Sequence, residues 1–153
     1  MKEIRGSASA VVRASAQDCY ALLAAVDRYG SWNGDLVREL EVLEREPDGS
    51  PVRLRAQIYV KQSPFMKTFE LTVAIRNEPP NAVHITRLPN EPTDREGLEL
   101  SWRILPEGSG ALLELQFMAL ASFVPGFLPL GGVGNLIAET LLESATEALG
   151  GLA

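Results

Sequence analysis

From Val37 to Leu120 apolar and polar residues alternate in short runs separated by Pro/Gly turns, the pattern of consecutive half-buried strands. Val52, Leu54, Ala56, Ile58 and Val60 face one way, and Arg53, Arg55, Gln57, Tyr59 and Lys61 the other. Phe69, Leu71, Val73 and Ile75 repeat the period, and Ala82 to Leu88 follows after Pro79-Pro80-Asn81. Leu98, Leu100, Trp102 and Ile104 then lead through a turn at Pro106 to Gly110 into Leu113, Leu115, Phe117 and Ala119. Six strands joined by turns predict an antiparallel meander, and Ser7 to Val12 is expected to add a strand at an edge, for about seven in all.

The period becomes helical in two places. Ser15 offers an N-cap oxygen, with Asp18 three residues on, and Cys19, Leu22, Leu23 and Val26 form a stripe, which predicts a helix over about Ala16 to Ala25. Asp27 to Trp32 reads as a further short turn that carries two aromatics back toward the body. Near the end Val133, Leu136, Ile137, Thr140, Leu141, Ser144, Ala145, Ala148 and Leu149 share one helical face. Glu139, Glu143 and Glu147 mark the other face, and Gly150-Gly151 stop the helix. The expected class is α+β: one domain over residues 1–153, with a curved antiparallel sheet wrapped around a long C-terminal helix and one or two short helices after the first strand.

That arrangement has a geometric consequence. Seven strands ~4.8 Å apart make a sheet roughly 30 Å wide, whereas a helix with its side chains is ~10–12 Å across. The sheet must curl, and whatever apolar concavity one helix leaves uncovered must take side chains, the short helices or a guest molecule. The greasy, glycine-hinged stretch from Phe123 to Gly132 would suit the lip of such a pocket.

Composition narrows the alternatives. The chain has 153 residues, enough for a core without staples, and its lone Cys19 and single histidine supply neither a disulfide nor a metal cluster. No metal or cofactor is expected, and a reducing, cytoplasmic setting is. The longest apolar stretch, Ala119 to Val133, is broken by two prolines and three glycines, and the start, Met1-Lys2-Glu3-Ile4-Arg5, is charged, so neither a membrane span nor secretion is expected. A net charge of −6 disfavours nucleic acid as a partner.

Candidate chemistry is sparse. If the alternation holds, Val83, Ile85 and Arg87 share the inner face, making Arg87 the one charged candidate for a pocket, while a bulge before it would leave it in water. His84 would lie on the opposite face, and no spacing supports a Ser-His-Asp or Cys-His pairing. Arg53, Arg55 and Lys61 form a basic outer row, which on a half-buried sheet is ordinarily a solvated face.

The segment Ala14-Ser15-Ala16-Gln17-Asp18-Cys19-Tyr20-Ala21-Leu22-Leu23-Ala24-Ala25-Val26-Asp27-Arg28-Tyr29-Gly30-Ser31-Trp32 resembles the START-like, or SRPBCC, superfamily of helix-grip proteins, near its polyketide-cyclase and coenzyme-Q-binding branches. Cys19-Tyr20, Ala25 and Gly30 depart from the Val-Trp, Asp and Pro usual there. Asn77-Glu78-Pro79-Pro80 and Trp102 to Gly110 are similar to the family's later turn and strand pair. The resemblance implies a ligand cavity between the sheet and the last helix. It leaves three uses open: a carrier or sensor of a lipid, quinone or polyketide-like molecule; an aromatase/cyclase-type enzyme; or an interaction module like the family's ribosome- and chaperone-associated members. The expected wall is Trp32, Ile58, Phe69, Leu71, Trp102, Phe117, Phe127, Ile137 and Leu141, with Arg87 as a polar handle.

Overall fold

In a computed structural model, which describes residues 2–62, 65–121 and 132–153, the strands form one antiparallel sheet. They are β1 (Lys2–Val12), β2 (Val37–Arg45), β3 (Pro51–Gln62), β4 (Phe65–Glu78), β5 (Ala82–Arg87), β6 (Gly97–Glu107) and β7 (Gly110–Ala121), in the spatial order β1-β7-β6-β5-β4-β3-β2. β2 to β7 are a meander, and β1 closes the far side by pairing with β7 from Lys2↔Ala121 to Val12↔Ala111. Between β1 and β2 the chain forms α1 (Ala16–Ala24), a 3-10 turn (Val26–Arg28) and α2 (Tyr29–Trp32); α3 (Val133–Ala148) follows the sheet. Ser15 caps α1, its Oγ accepting from the Asp18 amide at 3.1 Å.

Where boundaries differ from expectation, small residues are the reason. β1 begins five residues before Ser7, because its inner row is Ile4, Gly6, Ala8 and Ala10, too slight to register as a hydrophobic period. The α3 face is also rotated from the predicted one. Gly134, Ala138, Leu141, Leu142, Ala145 and Thr146 are buried, whereas Leu136 is 45% exposed. The helix is seated by what lets it come close: a Cβ on Gly6 would overlap the Gly134 carbonyl, and one on Gly134 would overlap the Arg5 carbonyl. Pro106, expected in a turn, lies in β6 opposite Ala111, and the chain reverses at Gly108, whose φ is 61°.

The core runs along the inner face, with Leu54, Val83, Trp102, Ile104, Leu113 and Leu115 fully buried. At one end α1 lies over β5, β6 and β7, and α3 packs along β1 and β7. Neither packs directly along the middle of the curved sheet, toward β3 and β4. No described helix is long and apolar enough to cross a membrane.

Candidate functional site

The concavity holds a cavity of about 210 Å3. Its walls come from every strand: Ile4 of β1, Val37 and Leu40 of β2, Ala56 and Ile58 of β3, Phe69, Leu71 and Val73 of β4, Ile85 and Arg87 of β5, Leu98 and Leu100 of β6, and Phe117 and Ala119 of β7. Ile137 and Leu141 of α3 form its roof, and Val26, Tyr29 and Leu36 close the end beside the short helices. The strand period explains the set, since residues two apart on each strand present their side chains to one concave face.

Seven of the sequence-derived wall positions, Ile58, Phe69, Leu71, Arg87, Phe117, Ile137 and Leu141, meet around this one space. Trp32 and Trp102 do not. Trp102 shares the inner face of β6 with Leu100 but lies one step farther along, fully buried at the end covered by the short helices. Trp32 is half-buried and packs its ring against Tyr29, centroids 4.8 Å apart and planes tilted by 54°. Tyr29 thus takes the cavity-facing place expected of Trp32, a distinction that a four-residue helix gives no periodicity to resolve. Phe127 and all of the expected lip except Gly132 lie outside the described residues. Ile4, Leu36, Leu40 and Leu98 also line the cavity, outside the expected wall; the alternation around Leu40 and Leu98 is the signal that points to those two.

Three wall residues carry polar chemistry. The Tyr29 hydroxyl donates to the Leu23 carbonyl at 2.5 Å, and burial holds its ionisation well above the ordinary tyrosine range. The Trp102 indole lies near this hydroxyl and favours its ionised form slightly, although Trp102 Nε1 makes no hydrogen bond of ordinary geometry. Arg87 continues the β5 alternation unbroken and is 8% exposed, so the bulge that would have put it in water does not occur. Its Nη2 donates to Asp94 Oδ2 at 2.7 Å, and its Nη1 to the Glu96 main-chain carbonyl at 2.8 Å. The Glu96 carboxylate, the third polar wall group, lies 3.9 Å from Nη2. Asp94 is itself fixed by the amides of Asn90 at 2.9 Å and Glu96 at 3.0 Å. The Arg87 hydrogen bond, followed by these amides, holds the Asp94 carboxyl well below the usual carboxylate range.

The outer face reads differently. Arg53 pairs with Glu44 at 3.2 Å, and Arg55 with Glu41 at 3.2 Å and Glu70 at 3.5 Å, so these two members of the basic row are neutralised in place. His84 bridges Ser101 Oγ and Glu78 Oε2, each at 3.0 Å. That chain has the outline of a nucleophile, base and acid, but Ser101 sits on an interior strand whose amides are committed to ladder bonds, leaving no backbone donors for an oxyanion.

Comparison with known proteins agrees with this geometry. A START superfamily protein from Mycobacterium smegmatis superposes with a TM-score of 0.73 at 20% identity, covering 96% of this chain and 97% of that one. A protein from Thermus thermophilus gives 0.65 at 20% identity over 97% of both chains. The di-domain ARO/CYC StfQ of the steffimycin biosynthetic pathway gives 0.63 at 16% identity over 97% of this chain and 51% of its own. No curated protein matches by sequence. The model of one family, described as polyketide cyclase / dehydrase and lipid transport, matches residues 12–149. Running from the end of β1 through α1, β2 to β7 and α3, that match makes the chain a member of this family, with the START-like, or SRPBCC, helix-grip fold.

Proposed function

We propose that the chain binds a hydrophobic small molecule of the lipid, quinone or polyketide-like kind in the space between sheet and α3, and serves as its carrier or sensor. The observation that carries this reading is the cavity itself: about 210 Å3 walled, among the described residues, almost wholly by aliphatic and aromatic side chains. Such a space costs stability when empty and regains it when filled. Removing ~200 Å2 of a guest's apolar surface from water contributes about 5 kcal/mol at ~25 cal/mol per Å2. Few directional bonds are on offer, so selection follows shape and size. Ile58, Phe69, Leu71, Phe117, Ile137 and Leu141 are the proposed contacts, with Arg87 at the polar end.

A cyclase would need a group free to move a proton on the guest. Among the described wall residues the Tyr29 hydroxyl is committed to Leu23, Arg87 to Asp94, and the Glu96 carboxylate lies 3.9 Å from the same guanidinium, so this wall favours holding over turnover. The test is solvent extraction of the purified, denatured protein followed by mass spectrometry, with calorimetric titration of the emptied protein. A lipophile near one equivalent, rebinding after removal, is the expected result. An extract without lipophile, combined with no heat on titration of lipophilic probes, would refute the reading.

A further inference from the structure

Arg87 is the only cation among the described residues walling the cavity, and a lone guanidinium in an apolar cavity would ordinarily select a carboxylate such as a fatty acid. Here the fold already supplies the counter-ion. Asp94 accepts from Nη2 at 2.7 Å, the two side chains are 5% and 10% exposed, and the Glu96 carboxylate lies 3.9 Å from the same nitrogen. Two backbone amides pin Asp94, so it cannot swing aside for a competitor. An incoming carboxylate would shed its water to meet a neutralised cation flanked by two groups of its own sign. An uncharged oxygen meets no such cost. A guanidinium has five N–H donors, and the bonds to Asp94 and the Glu96 carbonyl use two of them.

We infer that the cavity selects guests whose polar end is an uncharged oxygen, such as a ketone, quinone, ester or phenol, and rejects carboxylates of the same shape. This rests on the reading of the cavity as a ligand site. Size narrows the class further: an apolar cavity of about 150 Å3 holds benzene, so the 210 Å3 found here fits a body of one or two fused rings within the described walls.

The matched probes are 2-acetylnaphthalene and 2-naphthoate, titrated calorimetrically into the emptied protein, with NOEs to the methyls of Ile58 and Leu71 locating the bound ring. The ketone should bind at least tenfold more tightly. Equal affinity, or tighter binding of the naphthoate, overturns the inference while leaving the cavity's role intact. If neither probe binds, the cavity reading falls and the inference with it. In Asp94→Asn the released Arg87 charge should raise naphthoate affinity and narrow the ratio at least fivefold, with Glu96→Gln acting in the same direction to a lesser extent. A ratio that stays put in both variants would show that the ion pair does not set the preference, against the inference.

Discussion

Deleting the carboxylate of Asp94 would strand the Arg87 guanidinium in a site where its side chain is 5% exposed. Breaking a buried pair from one side is more destabilising than breaking an exposed one, so Asp94→Ala should lower the urea midpoint well beyond the effect of removing an exposed partner such as Glu41. The pH dependence has a definite sign. The Asp94 carboxyl is held below its ordinary value, so the unfolded chain takes up this proton first as pH falls. Its contribution is complete above the ordinary aspartate value of about 4 and is lost progressively below that, toward the depressed folded value. Urea midpoints measured from pH 6 to pH 2.5 should fall below about pH 4, and Asp94→Asn should flatten that limb. Cys19 gives a second residue-scale expectation. Burial is the main cause that pushes its thiol up to about 11, and the side chain is fully enclosed, so an aromatic disulfide reagent at pH 8 should label it at least ~100-fold more slowly in the folded than in the unfolded protein. Rapid labelling of the folded protein would contradict the packing of α1. The placement of Arg87 was legible from its alternation with Val83 and Ile85; its partner was not, because Asp94 arrives from a loop that has no period to read.

At the scale of elements, the tightest dependence is the crossing of β1 by α3, where Gly6 meets Gly134 backbone to backbone. A methyl group there has nowhere to go except by pushing the helix away. Gly134→Ala should therefore cost about 2–3 kcal/mol despite the better helix propensity of alanine, a melting temperature lower by roughly 4–12 °C. Gly30→Ala is the control, since a Cβ there would meet nothing closer than the Val37 carbonyl at 3.6 Å, and it should be neutral or slightly stabilising. Equal effects at the two glycines would mean that the close approach does not seat α3. The same crossing explains why the strands β3 to β7 were readable and these two elements only partly. Rows such as Leu54-Ala56-Ile58 announce their face by bulk, whereas β1 and α3 are matched by the lack of it. A hydrophobic period is blind to glycine and alanine, so it starts β1 too late and turns Leu136 inward, whereas that side chain faces water.

For the molecule as a whole, the mismatch between a sheet roughly 30 Å wide and one helix ~10–12 Å across was deducible from strand counting alone. Which stretch of the concavity stays open was not, because it depends on where the short helices land: they cover Trp102 and leave Leu100 at the wall. If the open stretch is a true void awaiting a guest, a side chain should be able to replace that guest. Ala56 is the natural point of entry. It lies at mid-strand on β3, paired with Leu40 on one side and Leu71 on the other, and all three face the cavity. In Ala56→Phe the ring would occupy space now unfilled, exchanging water for the aliphatic wall, a gain of about 1–2 kcal/mol after strain in fitting it is allowed for. The melting temperature should accordingly rise by roughly 2–8 °C, while affinity for lipophilic probes drops at least tenfold and co-purifying lipophile disappears from the extract. Stability and binding would then move in opposite directions, which separates a filled cavity from a damaged core, where both fall together. A variant that loses stability along with binding would show that the space near Ala56 is not available to an added ring, and the cavity would have to be understood as slack in the packing rather than as a site.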